Sequence, residues 1–486
     1  MALKVHNSLT RQREAFVPLN LPRVGIYVCG PTVYGHSHLG HAKSYVSFDA
    51  IIRWLRFSGY EVNYIQNITD VGHLTDNADE GEDKVISEAR RRGLHPMAVA
   101  EAYMQSYYED MDALNILRPD IAPRATGHIP EQITAVQKLL ENGHAYEVNG
   151  SVYFDVSSFP DYGKLSGRSV EEMDAGARVA VNPEKRQPPD FALWKRAEPG
   201  HIMRWPSPWG EGYPGWHLEC SVMSQKYIGD TLDIHGGGIE NQFPHHECEI
   251  AQGECCTGKP FARYWLHNNM CTLNGQKMGK SLGNAISLKE IFQEGTPLLE
   301  KAFEPVVIRH FVLTSHYRQP LDFSNEALKG AESGSCKLRD AARELSRAAK
   351  AAPSKPQSEQ VRTALADIEK RFTDAMNEDF NTAAGIATIF ELAKQSGEWI
   401  GAGVGQEDLL AADRLMQRLA GDALGFKWPA PSGGADEAKQ TELIRALVDL
   451  RNDARQQRNF ALGDQIRERL AALGVHLRDT PQGTVW

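Results

Sequence analysis

No stretch of this sequence is apolar for long enough to cross a bilayer, which takes about 20 such residues in a row. The opening MALKVHNSLTRQREAF has no apolar core of the kind a secretory leader carries. Both absences predict a cytoplasmic protein without membrane attachment. Positive charge is in short supply: 53 Lys and Arg face 63 Asp and Glu, a formal net charge of −10. Indiscriminate coating of nucleic acid needs the reverse balance. A local basic face remains open, with ARRRG (Ala89 to Gly93) and RNDARQQR (Arg451 to Arg458) as candidates, although either block alone reads first as a solvated helix face. Cysteine is scarce too. Seven in 486 residues, an odd number scattered along the chain, do not make a disulfide framework and leave buried thiols or metal ligands.

The length exceeds what one core organises, roughly 250 to 300 residues, so several domains are expected. Val24 to Cys29 reads as a buried strand, and Tyr45, Phe48, Ile52 and Leu55 recur at helical spacing through Ala42 to Phe57, with Gly59 as a stop. YEVNYIQNITD follows as a second strand. Strand, turn, helix, strand opens a parallel α/β sheet. The pattern predicts a first half of that sheet domain at 1–118 and an insertion at 119–207, where Asn149-Gly150 marks a hairpin. The second half follows at 208–324, then a helical bundle at 325–426, a linker at 427–440 and a small helical C-terminal domain at 441–486.

Three constellations carry chemistry. HLGH, His38 to His41, falls between strand and helix, where unpaired backbone N–H groups and the helix dipole favour an anion and Gly40 admits close approach. KMGKSLGN, Lys277 to Asn284, is a basic Gly- and Ser-containing loop suited to a polyphosphate. The third gathers Cys29 at a strand end, Cys220 in PGWHLECS, and His245 and Glu249, four apart, in PHHECE. A Cys, Cys, His, Glu set suits zinc. Spacing leaves the ligands open, because Cys248 shares the helix face of His245 and Cys255 with Cys256 offers another thiol pair.

HLGH and KMGKSLGN together resemble the HIGH and KMSKS signatures of the class I aminoacyl-tRNA synthetases, with Leu39 replacing Ile and Gly279 replacing the middle Ser. YVCGPTVY, PGWHLECS, DIHGGG and PHHECE narrow the resemblance to the cysteinyl-tRNA synthetase family, and it runs over essentially the whole chain. It implies a Rossmann-like catalytic domain of class α/β with an inserted connective domain, then a helical bundle and a small anticodon-side domain. The implied reaction is activation of L-cysteine with ATP, release of pyrophosphate, and transfer to the 3′ end of tRNA(Cys). The resemblance assigns His38, His41, Lys277 and Lys280 to catalysis and His38, Gly40, His41 and Lys280 to ATP, with Mg2+ as its counterion. Gly30, Thr32, Thr69, Trp216 and His235 are assigned to cysteine, and Cys29, Cys220, His245 and Glu249 to one Zn2+. Cys248, Cys255, Cys256, Cys271 and Cys336 are then non-ligands, and His36 is an exposed turn residue. A zinc–thiolate bond that serine cannot imitate removes the need for an editing domain. The intact DTPQGTVW tail favours tRNA over a small amino-sugar acceptor, with Trp486 a candidate for stacking on a base, and a monomer is expected.

Overall fold

The computed structural model describes residues 2–72, 83–169, 182–278, 284–293, 298–428, 435–472, 475, 477–480 and 483–485, with backbone alone at 277, 435–441, 472, 478–480, 483 and 485. It divides into two compact units, Met1–Phe426 and Lys427–Trp486.

In the first unit, β1 (Lys4–Asn7) and β2 (Gln12–Ala15) form an antiparallel hairpin. Next come β3 (Arg23–Val28), the helix Leu39–Phe57 and β4 (Glu61–Gln66), a parallel pair joined by a helical crossover. The helix begins at Leu39 rather than Ala42. His38 is its N-cap, and the chain turns at Ser58 with Gly59 at φ 90°. Its large apolar side chains are not all on one face: Phe48, Ile51, Ile52 and Trp54 are each at most 1% exposed, so the helix is covered on several sides.

A five-stranded antiparallel sheet is inserted between the halves. It is built from β5 (Ala145–Val148), β6 (Ser151–Phe154), β7 (Phe191–Arg196), β8 (Trp205–Ser207) and β9 (Gly210–Pro214), in the order β5-β6-β7-β9-β8. Its first hairpin turns at Asn149 (φ 53°) and Gly150 (φ 84°), the pair of positive angles that Asn-Gly supplies at low cost. The sheet runs to Pro214, so the boundary read after Ser207 falls inside it, because β9 pairs with both β7 and β8.

The parallel sheet then resumes with β10 (Leu232–Gly238) and β11 (Ala262–Asn268), giving the order β11-β10-β3-β4. Chain order reverses between β10 and β3, the place where open α/β sheets bind ligands at the carboxyl ends of their strands. Two helices, Trp216–Tyr227 and His245–Thr257, lie between the sheets. Cys220, Met223 and Ile250 pack on the parallel sheet with Tyr27 and Trp265, while Leu218, Val222, Cys248, Ala251, Cys255 and Cys256 pack on the inserted sheet with Phe154 and Trp194. Burial on both sides explains why neither helix carries a polar stripe.

A small sheet of β12 (Cys271–Leu273), β13 (Gln276–Lys277) and β14 (Leu321–Phe323) follows. Four helices continue the unit: Asn325–Ala351, Glu359–Asn377, Thr382–Ala402 and Gln406–Met416. They are anchored by Arg309, fully buried on the helix Pro305–Leu313, which pairs with Asp49 of the first crossover helix and donates to the carbonyls of Leu424 and Leu114. Such a pair adds little net stability, but removing one partner costs about 3–5 kcal/mol through the stranded charge.

The second unit contains the helices Ala435–Gln456 and Phe460–Ala472 and the pair β15 (Arg478–Thr480) and β16 (Gly483–Val485). The helix start at Ala435 takes the end of the segment read as a linker, 427–440, into regular structure. Val448, Ile466, Leu470 and Leu477 form its core. Among the described residues no helix is long and apolar enough to cross a membrane.

Candidate functional site

A cavity of about 240 Å³ opens at the carboxyl ends of β3 and β10. Its walls carry Cys29, Gly30, Thr32 and Thr69, then His38, Gly40 and His41, then Trp216, Cys220 and His245. Residues from four separated parts of the chain thus meet in one space.

The histidines of HLGH form a reciprocal cap. Nδ1 of His38 accepts from the Gly40 N–H (3.1 Å), and Nδ1 of His41 accepts from the His38 N–H (3.0 Å). A backbone N–H can only donate, so each Nδ1 is unprotonated and each neutral ring carries its hydrogen on Nε2. The rings lie 4.0 Å apart. The turn therefore holds two imidazole donors in fixed tautomers at a helix N-terminus. The segment after the lysine motif returns to this turn: Leu39 N–H donates to Ile286 O (3.3 Å), and Leu288 N–H donates to Ser37 O (2.8 Å). Gly279, Lys280 and Ser281 lie outside the described residues, and of Lys277 only the backbone, in β13, is described.

The sulfurs of Cys29 and Cys220, an imidazole nitrogen of His245 and a carboxylate oxygen of Glu249 all lie within 4.8 Å of one another. All four residues are buried. Burial raises the Glu249 carboxyl, but His235 and His245 outweigh it and hold it down to about 2. Burial disfavours charge on His245 as well, yet Glu249 and Cys220 bring it up to about 10. Burial opposes ionisation of Cys220, while hydrogen bonds from Cys29 and His245 bring that thiol down to about 6. The Cys29 thiol is pushed up, first by burial and then by donating to Cys220. The network thus favours a thiolate and a carboxylate next to a shared cationic proton, the charge pattern a divalent cation would replace.

A second set of Cys29, His235, His246 and Glu249 is equally compact. It shares two members with the first, but His235 and His246 do not line the cavity. Both are fully buried behind it: His235 Nε2 meets Glu249 Oε2 (2.6 Å), and His246 Nε2 meets Cys29 Sγ (3.2 Å). His235, expected to help close the amino-acid site, is placed behind Glu249. The remaining cysteines sit elsewhere. Cys248 contacts the Tyr162 hydroxyl (3.3 Å), and burial pushes the Cys255 and Cys256 thiols up to about 12 and about 11. Cys271 is buried in β12, where burial likewise raises it to about 12, and Cys336 is half-buried on a bundle helix.

Several contributors escape sequence reasoning. His217 Nδ1 meets His245 Nδ1 (2.9 Å), and Trp216 stacks on the His245 ring at 4.4 Å. Asn67 Oδ1 accepts from Gly30 N–H (2.7 Å). A Cβ at Gly30 would lie 1.6 Å from the Asn67 carbonyl oxygen, so only glycine fits. Glu219 accepts from the Thr69 hydroxyl (2.9 Å). The only local signal was proximity, since His217 and Glu219 sit inside PGWHLECS and Asn67 two residues before Thr69. His36 is exposed at the cavity mouth, bonded to Ser106 Oγ (2.7 Å).

Comparison with known proteins is consistent across sequence and fold. The family described as tRNA synthetases class I (C) catalytic domain matches residues 15–333, and a DALR domain matches 371–427. The cysteine–tRNA ligase of Chlorobaculum tepidum is 53% identical, covering 100% of this chain and 99% of its own. That of Thermus thermophilus is 48% identical with the same coverage. Among solved structures, Mycobacterium tuberculosis methionyl-tRNA synthetase in complex with methionyl-adenylate has a TM-score of 0.57 at 16% identity, covering 82% of this chain and 90% of its own. The LeuRS-tRNA-LeuAMS complex of Agrobacterium radiobacter K84 has a TM-score of 0.59 at 13% identity, covering 86% and 88%. The likeness to these two shows a shared fold, and the identity to the first two, over the full length, is far above what shared fold alone requires. The chain belongs to the cysteine–tRNA ligase family of class I tRNA synthetases.

Proposed function

We propose that the chain joins L-cysteine to tRNA(Cys) in two steps, cysteine activation by ATP and transfer to the 3′ end of the RNA. The observation that carries this reading is the shared cavity, lined both by Cys29, Cys220 and His245 and by His38, Gly40 and His41. A thiol-selecting group and a phosphate-binding group lining one cavity bring a cysteine carboxylate to an α-phosphate.

The donor set suits zinc. Two sulfurs, one imidazole and one carboxylate form a four-ligand shell, and metal bonds of about 2.0–2.3 Å match a cluster of this size. Cys29, Cys220, His245 and Glu249 would hold the ion, which would supply a thiophilic centre that favours a thiolate over a hydroxyl. Trp216, stacked on His245, limits how that wall moves. Gly30, Thr32 and Thr69 receive the amino-acid backbone.

The carboxylate nucleophile is already ionised at neutral pH, so no strong general base is needed and the chemistry depends on position and charge. His38 and His41 donate from Nε2–H to phosphate oxygens, Gly40 allows the nucleotide close to the helix, and Lys277 and Lys280 draw the charge that builds on the leaving pyrophosphate. Mg2+ accompanies ATP. The regions after Asn325 hold the RNA.

Cysteine-dependent exchange of labelled pyrophosphate into ATP, followed by charging of tRNA(Cys), tests both steps. Exchange without charging would leave activation standing and remove the RNA, and zinc-loaded protein with no exchange would remove both.

A further inference from the structure

Behind the cavity wall, a hydrogen-bond chain has its Asn67 amide oriented from one end. The Gly30 N–H donates to Asn67 Oδ1 (2.7 Å). Because a backbone N–H has no alternative role, the Asn67 amide is locked with Oδ1 toward Gly30 and its Nδ2 toward Thr69. Nδ2 donates to Thr69 Oγ1 (3.0 Å). That hydroxyl then passes its single proton onward, to Glu219 Oε2 (2.9 Å). Asn67, Thr69 and Glu219 are 1%, 3% and 1% exposed, so solvent does not compete for these bonds. The Thr69 backbone is fixed on both sides, its N–H donating to Pro31 O and its carbonyl accepting from Val33 N–H, each at 3.1 Å. Glu219 Oε1 is buried with no hydrogen-bond partner among the described residues. Burial, then Cys220, raise the Glu219 carboxyl and the Thr69 hydrogen bond opposes them, and a proton held on Oε1 leaves Oε2 an acceptor.

A threonine hydroxyl has one donor and two acceptor sites. At Thr69 the donor is used by Glu219 and one acceptor site by Asn67, and the residue lines the cavity. What it has left to offer is an acceptor. We propose that Glu219 is a positioning residue that, by taking the Thr69 proton, makes this wall accept only hydrogen donors and so selects the α-ammonium group of the amino-acid substrate. The selection rests on reading the cavity as the cysteine site. It complements the sulfur-binding wall: one side tests for a thiol, the other for a protonated amine, and a thiol acid without the amine meets only one of them. Glu219 and Cys220 are neighbours on the helix Trp216–Tyr227, so one helix carries both tests.

The experiment compares the KM for cysteine in pyrophosphate exchange with the inhibition constant of 3-mercaptopropionate, which keeps thiol and carboxylate but lacks the amine. Thr69→Val removes the acceptor. Glu219→Met keeps the shape but frees the Thr69 proton to turn into the cavity. Each raises the cysteine KM by roughly tenfold to a hundredfold, the worth of a hydrogen bond to a charged group, and leaves the 3-mercaptopropionate constant nearly unchanged. The double variant loses no more than either single, since both act through one hydroxyl. Glu219→Gln, whose amide oxygen still accepts from Thr69, keeps most of the preference. Zinc content is measured throughout, because Cys220 is adjacent. If Glu219→Met loses zinc, the Gln variant decides: zinc-loaded with the preference intact supports the proposal, and zinc-loaded with the preference gone overturns it. Equal weakening toward both ligands in zinc-loaded Glu219→Met, or losses that multiply in the double variant, would also overturn it. A wild-type protein that activates no cysteine would overturn the cavity reading and this proposal together. That result differs from an active wild type whose Glu219→Met variant keeps its preference, which defeats the proposal alone.

Discussion

His245 has two nitrogens with different tasks: Nε2 meets Glu249 Oε1 (2.9 Å), and Nδ1 meets His217 Nδ1 (2.9 Å). For Nε2 to serve a metal its lone pair must be bare, so Nδ1 carries the hydrogen and donates it to His217. His217 therefore fixes both tautomer and ring angle. His217→Ala should weaken zinc binding about 10- to 100-fold, with Cys220→Ser weakening it further. Titration against a competing chelator measures this, and unchanged affinity in the alanine variant would remove the assignment. Gly30 offers a steric counterpart. Gly30→Ala puts a methyl carbon on the Asn67 carbonyl, and relieving that overlap breaks the Gly30–Asn67 bond at an overpacking cost of about 1–3 kcal/mol. Lower thermal stability together with a raised cysteine KM is expected, while wild-type values of both would show that the turn yields. Neither His217 nor Asn67 could be read from the sequence, because a histidine beside a tryptophan and an asparagine in a strand tail have ordinary uses. Their partners are 28 and 37 residues away in sequence, brought close only by the fold.

At the scale of elements, the first crossover helix shows how capping and chemistry overlap. The sequence pattern placed its start at Ala42 because apolar periodicity begins there. The fold starts it at Leu39, since the His38 and His41 side chains perform the exchange that Ser or Thr and Glu perform in an ordinary capping box. The two uses can be separated. His38→Asn keeps a good N-cap but loses the Nε2 donor, whereas His38→Ala loses both, and a lost cap costs about 1 kcal/mol. Activation should fall steeply in both variants and thermal stability mainly in the alanine variant; an Asn variant with wild-type activation would reduce HLGH to a cap. The helix Pro305–Leu313 carries a different sensitivity. His310 is 2% exposed and its Nδ1 has no hydrogen-bond partner among the described residues. Burial lowers its pKa from 6.5 to about 4. A histidine depressed in the fold favours the folded state above its unfolded value, and that contribution is lost as pH falls from about 6.5 toward 4. Over this window the urea midpoint of the wild type should fall more steeply than that of His310→Leu, by about one proton's worth, or about 1.4 kcal/mol per pH unit. Equal slopes would exclude His310.

Across the whole molecule, what the sequence made legible follows its local grammar. Strand, turn, helix, strand at Val24 to Asp70 and the Asn149-Gly150 hairpin were readable because short-range periodicity and turn chemistry decide them. The order β11-β10-β3-β4 was not, since β3 and β10 are neighbours in space but separated in sequence by the whole inserted sheet. Cys29, Cys220 and His245 could be gathered as candidates by residue type, yet choosing them over Cys248 took the family resemblance, because helical spacing puts Cys248 and His245 on one face; in the fold that thiol contacts Tyr162. The division at Phe426 allows the two chemical steps to be pulled apart. All residues of the cavity wall lie in the first unit, and the second has a core of its own in Val448, Ile466, Leu470 and Leu477. A chain ending at Phe426 should therefore keep cysteine-dependent pyrophosphate exchange within a few-fold of the full-length rate, because no side chain that meets cysteine or ATP in the proposed reaction is removed. Charging of tRNA(Cys) should fall far more on the sequence-based expectation that the lost unit is the anticodon-side domain. Its seven Arg against six Asp and Glu from Thr441 onward give no general attraction for RNA, so the loss should be specific to the cognate tRNA rather than a uniform drop for any RNA. Exchange and charging rates measured side by side check this, with a non-cognate tRNA as competitor. If truncation abolished exchange, the second unit would be part of the activation machinery; if it left charging intact, anticodon-side recognition would have to lie in the helices between Asn325 and Phe426.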